Sequence, residues 1–334
     1  KNMISKLPAT SGDAVVVDIK PTSDIFIVAF LSSPKNERIL VAIINAILTD
    51  SGQERIVSAT VLTPFNIRNY SVSKQLILDV RVRDEQNRFY NIEIQTYSHP
   101  AFNERILLGW ADSFVSQIER GGNYSDLKIV FSLAVTEFVA FPESKKIHLE
   151  FTPREKDDHN LVLSNHFQAH FLQLGLLSQG HLELLEQVTT ELAHWSVFLV
   201  FGNKSEVEML QIAKKSTVVR DAFDNPIIRE SITELQRFQA DPKMREFERQ
   251  HRLFLVDRQL RENAKKAEGM IEGEIKGKAE GKAEGIVDIL SYKFGQVPQH
   301  IVDSLHKQTN LTTLNSLLIQ ATKCTSLDEF VDGL

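Results

Sequence analysis

The run Gln75-Leu-Ile-Leu-Asp-Val-Arg-Val-Arg83 and the run Arg88-Phe-Tyr-Asn-Ile-Glu-Ile-Gln95, joined by the turn Asp84-Glu-Gln-Asn-Arg88, decide how this chain folds. In both runs apolar and polar residues alternate with the period of two that marks strands, and the short polar turn predicts an antiparallel hairpin. Centred on Gln86, the pairing sets Asp79 opposite Glu93 on the polar face, with side chains about 5 Å apart at Cβ. Two carboxylates so placed repel each other. A hard divalent cation such as Mg2+ relieves the repulsion, because it takes oxygen ligands from one or two carboxylates and keeps waters for a substrate phosphate. Gln95 points to the same face as Glu93, two residues along. Arg81 and Arg83 share that face by alternation, and Arg55, Arg68, Lys74 and Arg88 flank the same sheet. They read either as a basic rim around an acidic centre or as solvated strand-edge charges.

The surrounding text adds a resemblance. Asp79 followed by Glu93-Ile94-Gln95 looks like the PD-(D/E)XK nuclease core in its Glu-x-Gln variant. More narrowly it resembles the bacterial family of recombination-promoting nucleases and transposase-like proteins. The same resemblance is carried, in order, by Pro21-Thr-Ser-Asp-Ile-Phe26, Ile39-Leu-Val-Ala-Ile-Ile-Asn-Ala-Ile-Leu48, Asn103-Glu-Arg-Ile-Leu-Leu-Gly-Trp110, Gln117-Ile-Glu-Arg-Gly-Gly-Asn-Tyr124 and the strand Leu127 to Val135.

What the resemblance implies is an α/β fold: a restriction-endonuclease-like mixed sheet flanked by helices, with an α-helical C-terminal extension. It implies metal-dependent hydrolysis of DNA phosphodiesters, with Asp79, Glu93 and the backbone carbonyl of Ile94 as ligands for Mg2+, for which Mn2+ or Ca2+ are substitutes. Gln95 stands where lysine is usual; an amide does not titrate in the working range, so Gln95 can orient water but cannot act as the general base. Asp24 is either a further ligand or an N-cap, since Thr22-Ser23-Asp24 precedes an apolar run. Gln117 is expected near the substrate, with Arg81, Arg83 and Lys74 on the nucleic acid, and Tyr124 is expected to pack. A DNA-associated scaffold of weak or no activity, and a nuclease acting on RNA, are the other two readings.

Composition bounds these readings. With 334 residues, 42% of them hydrophobic, the chain can bury a large core. Its net charge of −6 argues against a broad nucleic-acid-binding surface and leaves room for a local one. A single cysteine, Cys324, excludes an intramolecular disulfide framework and fits a reducing cytoplasm. No apolar run has the length of a membrane span, and no signal-like segment is read at the N-terminus.

The expected organisation is an N-terminal segment (1–20), the nuclease core (21–152), a helical extension (153–266), a tetrad-repeat linker or helix (267–285) and a small helical module (286–334). Lys145 to Phe151 reads as the last strand, and from Phe167 onward the pattern reads as helical. The helix Ala101 to Glu119 is expected to bury Phe102, Ile106, Leu107, Trp110, Phe114 and Ile118, and to end at Gly121-Gly122. Glycine recurs at 269, 273, 277, 281 and 285. On a helix these form a drifting stripe, at up to about 1 kcal/mol each relative to alanine, which tilts the reading toward a solvated linker. The small core of the last module suggests oligomerisation, most simply a homodimer. His166 and His170, four apart, are read as solvated or packing histidines rather than a zinc pair, for want of a third ligand.

Overall fold

The computed structural model describes residues 19–62, 80–118 and 121–332. Asp79, Lys74 and Arg68 lie outside the described residues, as do residues 1–18 of the N-terminal segment. Among the described residues, six strands form one mixed sheet flanked by helices: β1 (Ala59–Val61), β2 (Val80–Asp84), β3 (Phe89–Gln95), β4 (Val130–Thr136), β5 (His148–Phe151) and β6 (Phe167–Gln173), in the order β1-β2-β3-β4-β6-β5. The β3–β4 and β4–β6 pairs are parallel; the other three are antiparallel. Between β2 and β3, Val80 pairs with Ile92 and Arg83 with Phe89, the register of a hairpin centred on Gln86.

Alternation on this hairpin sorts its side chains onto two layers. Val80, Val82, Tyr90, Ile92 and Ile94 are buried and join the larger core with α1 (Asp24–Ser32), α2 (Glu37–Asp50) and α5 (Thr190–Phe201). Helix α1 is apolar almost all round, from Ile25 to Leu31, which suits a helix enclosed on every side. The opposite face carries Arg81, Arg83, Asn91, Glu93 and Gln95. There a smaller core gathers Phe102 and Ile106 of α3 (Phe102–Val115) against Ala134, Ala169 and Phe171.

Four expectations need correction. Phe167–Gln173 is a strand, not a helix, and it lies between β4 and β5, so β5 is not the last strand. A parallel strand covered on both faces loses the alternation by which strands are recognised. Its last polar residue is satisfied locally: Gln173 accepts from the Phe141 amide at 2.7 Å and donates to the Lys146 carbonyl at 3.0 Å. Helix α3 stops at Val115, and Leu107, assigned to its buried face, is half exposed at 50%. Gly121 does take a left-handed φ of 89°, but beyond the helix end. Tyr124 is exposed rather than packed. Of the two readings of residues 267–285, linker or helix, the structure has the helix.

Short helices complete the first unit, Lys1–His251. They are α4 (Leu174–Ser178), α6 (Glu206–Ala213), α7 (Thr217–Asp224) and α8 (Pro226–Ala240). Ser205 opens α6 with a reciprocal capping box to Glu208. Helix α4 turns off β6 at Gly175, where a Cβ would sit 2.6 Å from the Phe138 carbonyl carbon; only glycine allows that approach.

The second unit is Arg252–Leu334. Helix α9 (Pro242–Phe294) supplies Ala279, Ala283, Ile286 and Leu290 to its core, against α10 (Gln299–Lys307), α11 (Leu311–Lys323) and α12 (Leu327–Val331). Gly295, at φ 84°, ends α9. Lys293 donates to the Cys324 carbonyl at 2.6 Å and the Thr322 carbonyl at 3.0 Å, satisfying the open end of α11. Among the described residues, no helix is long and apolar enough to cross a membrane.

Candidate active site

Four elements meet at a cleft of about 380 Å³ on the polar face of the hairpin. β2 contributes Arg81, β3 contributes Asn91 and Glu93, β4 contributes Ser132 from the position paired with Asn91, and α3 contributes Arg105 and Asp112. Strand alternation puts Asn91, Glu93 and Gln95 on one side, and the parallel register puts Ser132, Ala134 and Thr136 beside them. Helix α3 is held there by Asn91, which donates to the Gly109 carbonyl at 3.0 Å and accepts from the Ser113 hydroxyl at 2.9 Å.

Glu93 is the acidic centre of the cleft, its side chain only 13% exposed. Arg105 reaches down from α3 to ion-pair with Glu93 and to donate to the Gln95 side-chain oxygen, so one guanidinium joins two of the expected site residues. The Phe102 ring lies 5.9 Å from that guanidinium and braces it. Arg81 pairs with Asp112 at 2.7 Å across the cleft. At the floor, the buried Ser132 hydroxyl has no hydrogen-bond partner among the described residues.

The donors facing the cleft are carboxylate, amide and hydroxyl oxygens. Among the described residues, that set suits a hard divalent cation. Among the described residues, no group of three or more His, Cys, Asp or Glu side chains is arranged around a common metal position. Asp79 immediately precedes the first described residue of β2 and is not among the described residues.

Other expected site residues are placed elsewhere. Gln117 lies past the end of α3, where its amide accepts from the Lys128 backbone at 2.7 Å and donates to the Lys128 carbonyl at 3.1 Å; both ends are engaged away from the cleft. Asp24 is neither cap nor cleft residue: Ser23 caps α1, and Asp24 faces His251 Nε2 at 2.9 Å. Arg83 is exposed on the cleft's side of the sheet. Of the flanking cations, Arg55 pairs with Glu191 at 2.8 Å. Arg88 is buried on the opposite layer, with its Nε 2.6 Å from Asp84. Arg105, Asn91, Asp112 and Ser132 were not singled out from sequence. Arg105 falls one helical turn after Phe102 on the packed side of α3, a spacing that could have marked it.

A second polar cluster lies in the larger core. His148 Nδ1 donates to Asp50 Oδ2 at 2.6 Å, and the Thr189 amide donates to Asp50 Oδ1 at 2.6 Å. His170 Nδ1 lies 3.2 Å from both His148 Nε2 and the Ser51 hydroxyl. Burial, and then the neighbouring His148, push the His170 pKa down to about 3, so the His170 ring is neutral where it stacks on His148. Burial tends to raise Asp50, but its hydrogen bonds from His148 and Thr189 win and hold it below the usual carboxylate value. His166 is separate from this cluster; it contacts Ser164 and the Leu127 carbonyl, so the two histidines form no zinc pair.

Compared with known proteins, the chain matches the family model described as PD-(D/E)XK nuclease family transposase over residues 21–264. No curated protein and no solved structure matches it.

Proposed function

We propose, from the fact that this chain belongs to the PD-(D/E)XK nuclease family transposases, that it is a metal-dependent endonuclease that hydrolyses DNA phosphodiesters at the Glu93 cleft. The observation that carries this reading is the cleft itself: a largely buried carboxylate on a central strand, faced by oxygen donors and flanked by arginines. Asp79, Glu93 and the Ile94 carbonyl would hold Mg2+. When bound, the ion polarises the phosphate and lowers the pKa of attacking water.

The chain's own residues do the rest. Gln95 orients the attacking water through its amide and leaves proton removal to other groups, since it has no titratable proton. Arg81 and Arg83 steer the phosphate backbone to the cleft, a local positive rim on a chain of net charge −6. Lys74 is assigned to the same rim, and Asp24 and Gln117 to the support of the elements that carry the site. A homodimer in the cytoplasm would suit cleavage of both strands of a duplex and a role in recombination. Exposed Leu253, Val256, Leu260, Ile271 and Ile275 on α9 offer such a dimer an apolar face.

Supercoiled plasmid incubated with wild type, Asp79→Ala and Glu93→Ala, with and without Mg2+, tests the reading. Nicking by wild type that needs Mg2+ and vanishes in both variants is expected. Equal nicking by all three would refute the site, and cleavage confined to an RNA substrate would shift the assignment to RNA.

A further inference from the structure

We propose that Arg105 is an exchangeable counter-ion: it holds Glu93 while no cation is bound, gives up that carboxylate when a divalent ion arrives, and then grips the phosphate being cleaved. The inference rests on the reading of the Glu93 cleft as the nuclease site. It goes further in assigning both the competition and the phosphate contact to one residue.

Three observations carry it. Arg105 contacts both Glu93 and Gln95, so it sits on the carboxylate that the cation would need. A guanidinium and a divalent cation cannot share one largely buried carboxylate without strong repulsion, so loading drives Arg105 off Glu93. The side chain has somewhere to go: it is 50% exposed whereas Glu93 is 13% exposed, and its guanidinium is braced on Phe102. Swung outward, the guanidinium presents its planar fork at the mouth of the cleft, where a phosphate enters and can be held by two parallel hydrogen bonds.

Ser132 is independent support for a ligand in this space. Its hydroxyl is buried at the cleft floor with no partner among the described residues, and burial without one costs free energy unless a bound group satisfies it. Arg81, committed to Asp112 at 2.7 Å, is the poorer candidate for the exchange.

Mn2+ titration followed by electron paramagnetic resonance, on the full chain without substrate, reads the competition directly. Glu93→Gln should lose Mn2+ binding. Arg105→Gln should bind Mn2+ more tightly than wild type, by about tenfold if one competing positive charge is removed, while binding an uncleavable phosphorothioate duplex in Ca2+ more weakly. Arg105→Lys, with the charge but not the fork, should lie between. A residue that merely packs α3 would not raise cation affinity when removed. Unchanged or weaker Mn2+ binding by a folded Arg105→Gln protein overturns the proposal while leaving the site reading intact. Equal Mn2+ binding by wild type and Glu93→Gln would instead remove the site reading, and the proposal with it. Should Arg105→Gln fail to fold, the wild type decides: the duplex must tighten its Mn2+ binding, and equal affinity with and without duplex overturns the exchange.

Discussion

Asp84 was read as one letter of a polar turn, yet its side chain is fully buried. It accepts from the Arg88 guanidinium at 2.6 Å, from the Tyr90 hydroxyl at 2.9 Å and from the Gln86 and Arg88 amides. Burial, and then the charge of Asp84, raise the Tyr90 pKa, which keeps the phenol a donor. Asp84→Ala leaves the buried Arg88 charge without its partner and should cost about 3–5 kcal/mol in urea unfolding. His170 makes a pH prediction. An unfolded histidine takes up a proton near 6.5, whereas native His170 resists until about 3. The unfolded state therefore binds more protons in between, and stability falls as pH drops through that window, by at most about 1.4 kcal/mol per pH unit. Asp50, lowered from 3.8, keeps its stabilising share above that value and loses it only as pH falls below. His194, also lowered by burial, adds a share of the same sign. Urea midpoints at pH 7.5 and 5 should drop for wild type and drop less for His170→Leu. At this scale the sequence showed which residues alternate, and so Glu93 and Gln95. It did not show which turn carboxylate is buried.

Among the elements, the β2–β3 hairpin was the most legible, because a half-covered antiparallel pair writes its two faces into alternate residues. β6 was the least legible. Phe167, Ala169, Phe171 and Leu172 fit helix and strand periodicity about equally, and enclosure on both faces removes the deciding signal. Helix α9 overrode local preference in the opposite direction. Gly269, Gly273, Gly277 and Gly281 are helical, with open space where a Cβ would stand. The double variant Gly273→Ala and Gly277→Ala should therefore strengthen this helix by up to about 1 kcal/mol per site. Circular dichroism of the full chain should show higher ellipticity at 222 nm on warming, and unchanged melting would argue against helix here in solution.

Across the whole molecule, the two units have separate hydrophobic cores, one around β3 and β4 and one around Ala283, Ile286, Leu305 and Leu314. Calorimetry of the full chain should resolve two transitions, and a single cooperative peak would mean the cores melt together. Strand order was beyond the reach of local patterns, since β6 enters the sheet between partners that precede it in the chain. That insertion has a consequence for biosynthesis. When β4 leaves the ribosome, the flank that will receive β6 has no strand to meet, and it stays bare while residues 137–173 are added. At about 5–20 residues per second this lasts seconds, long enough for a nascent chain on the same polysome to dock there in its place.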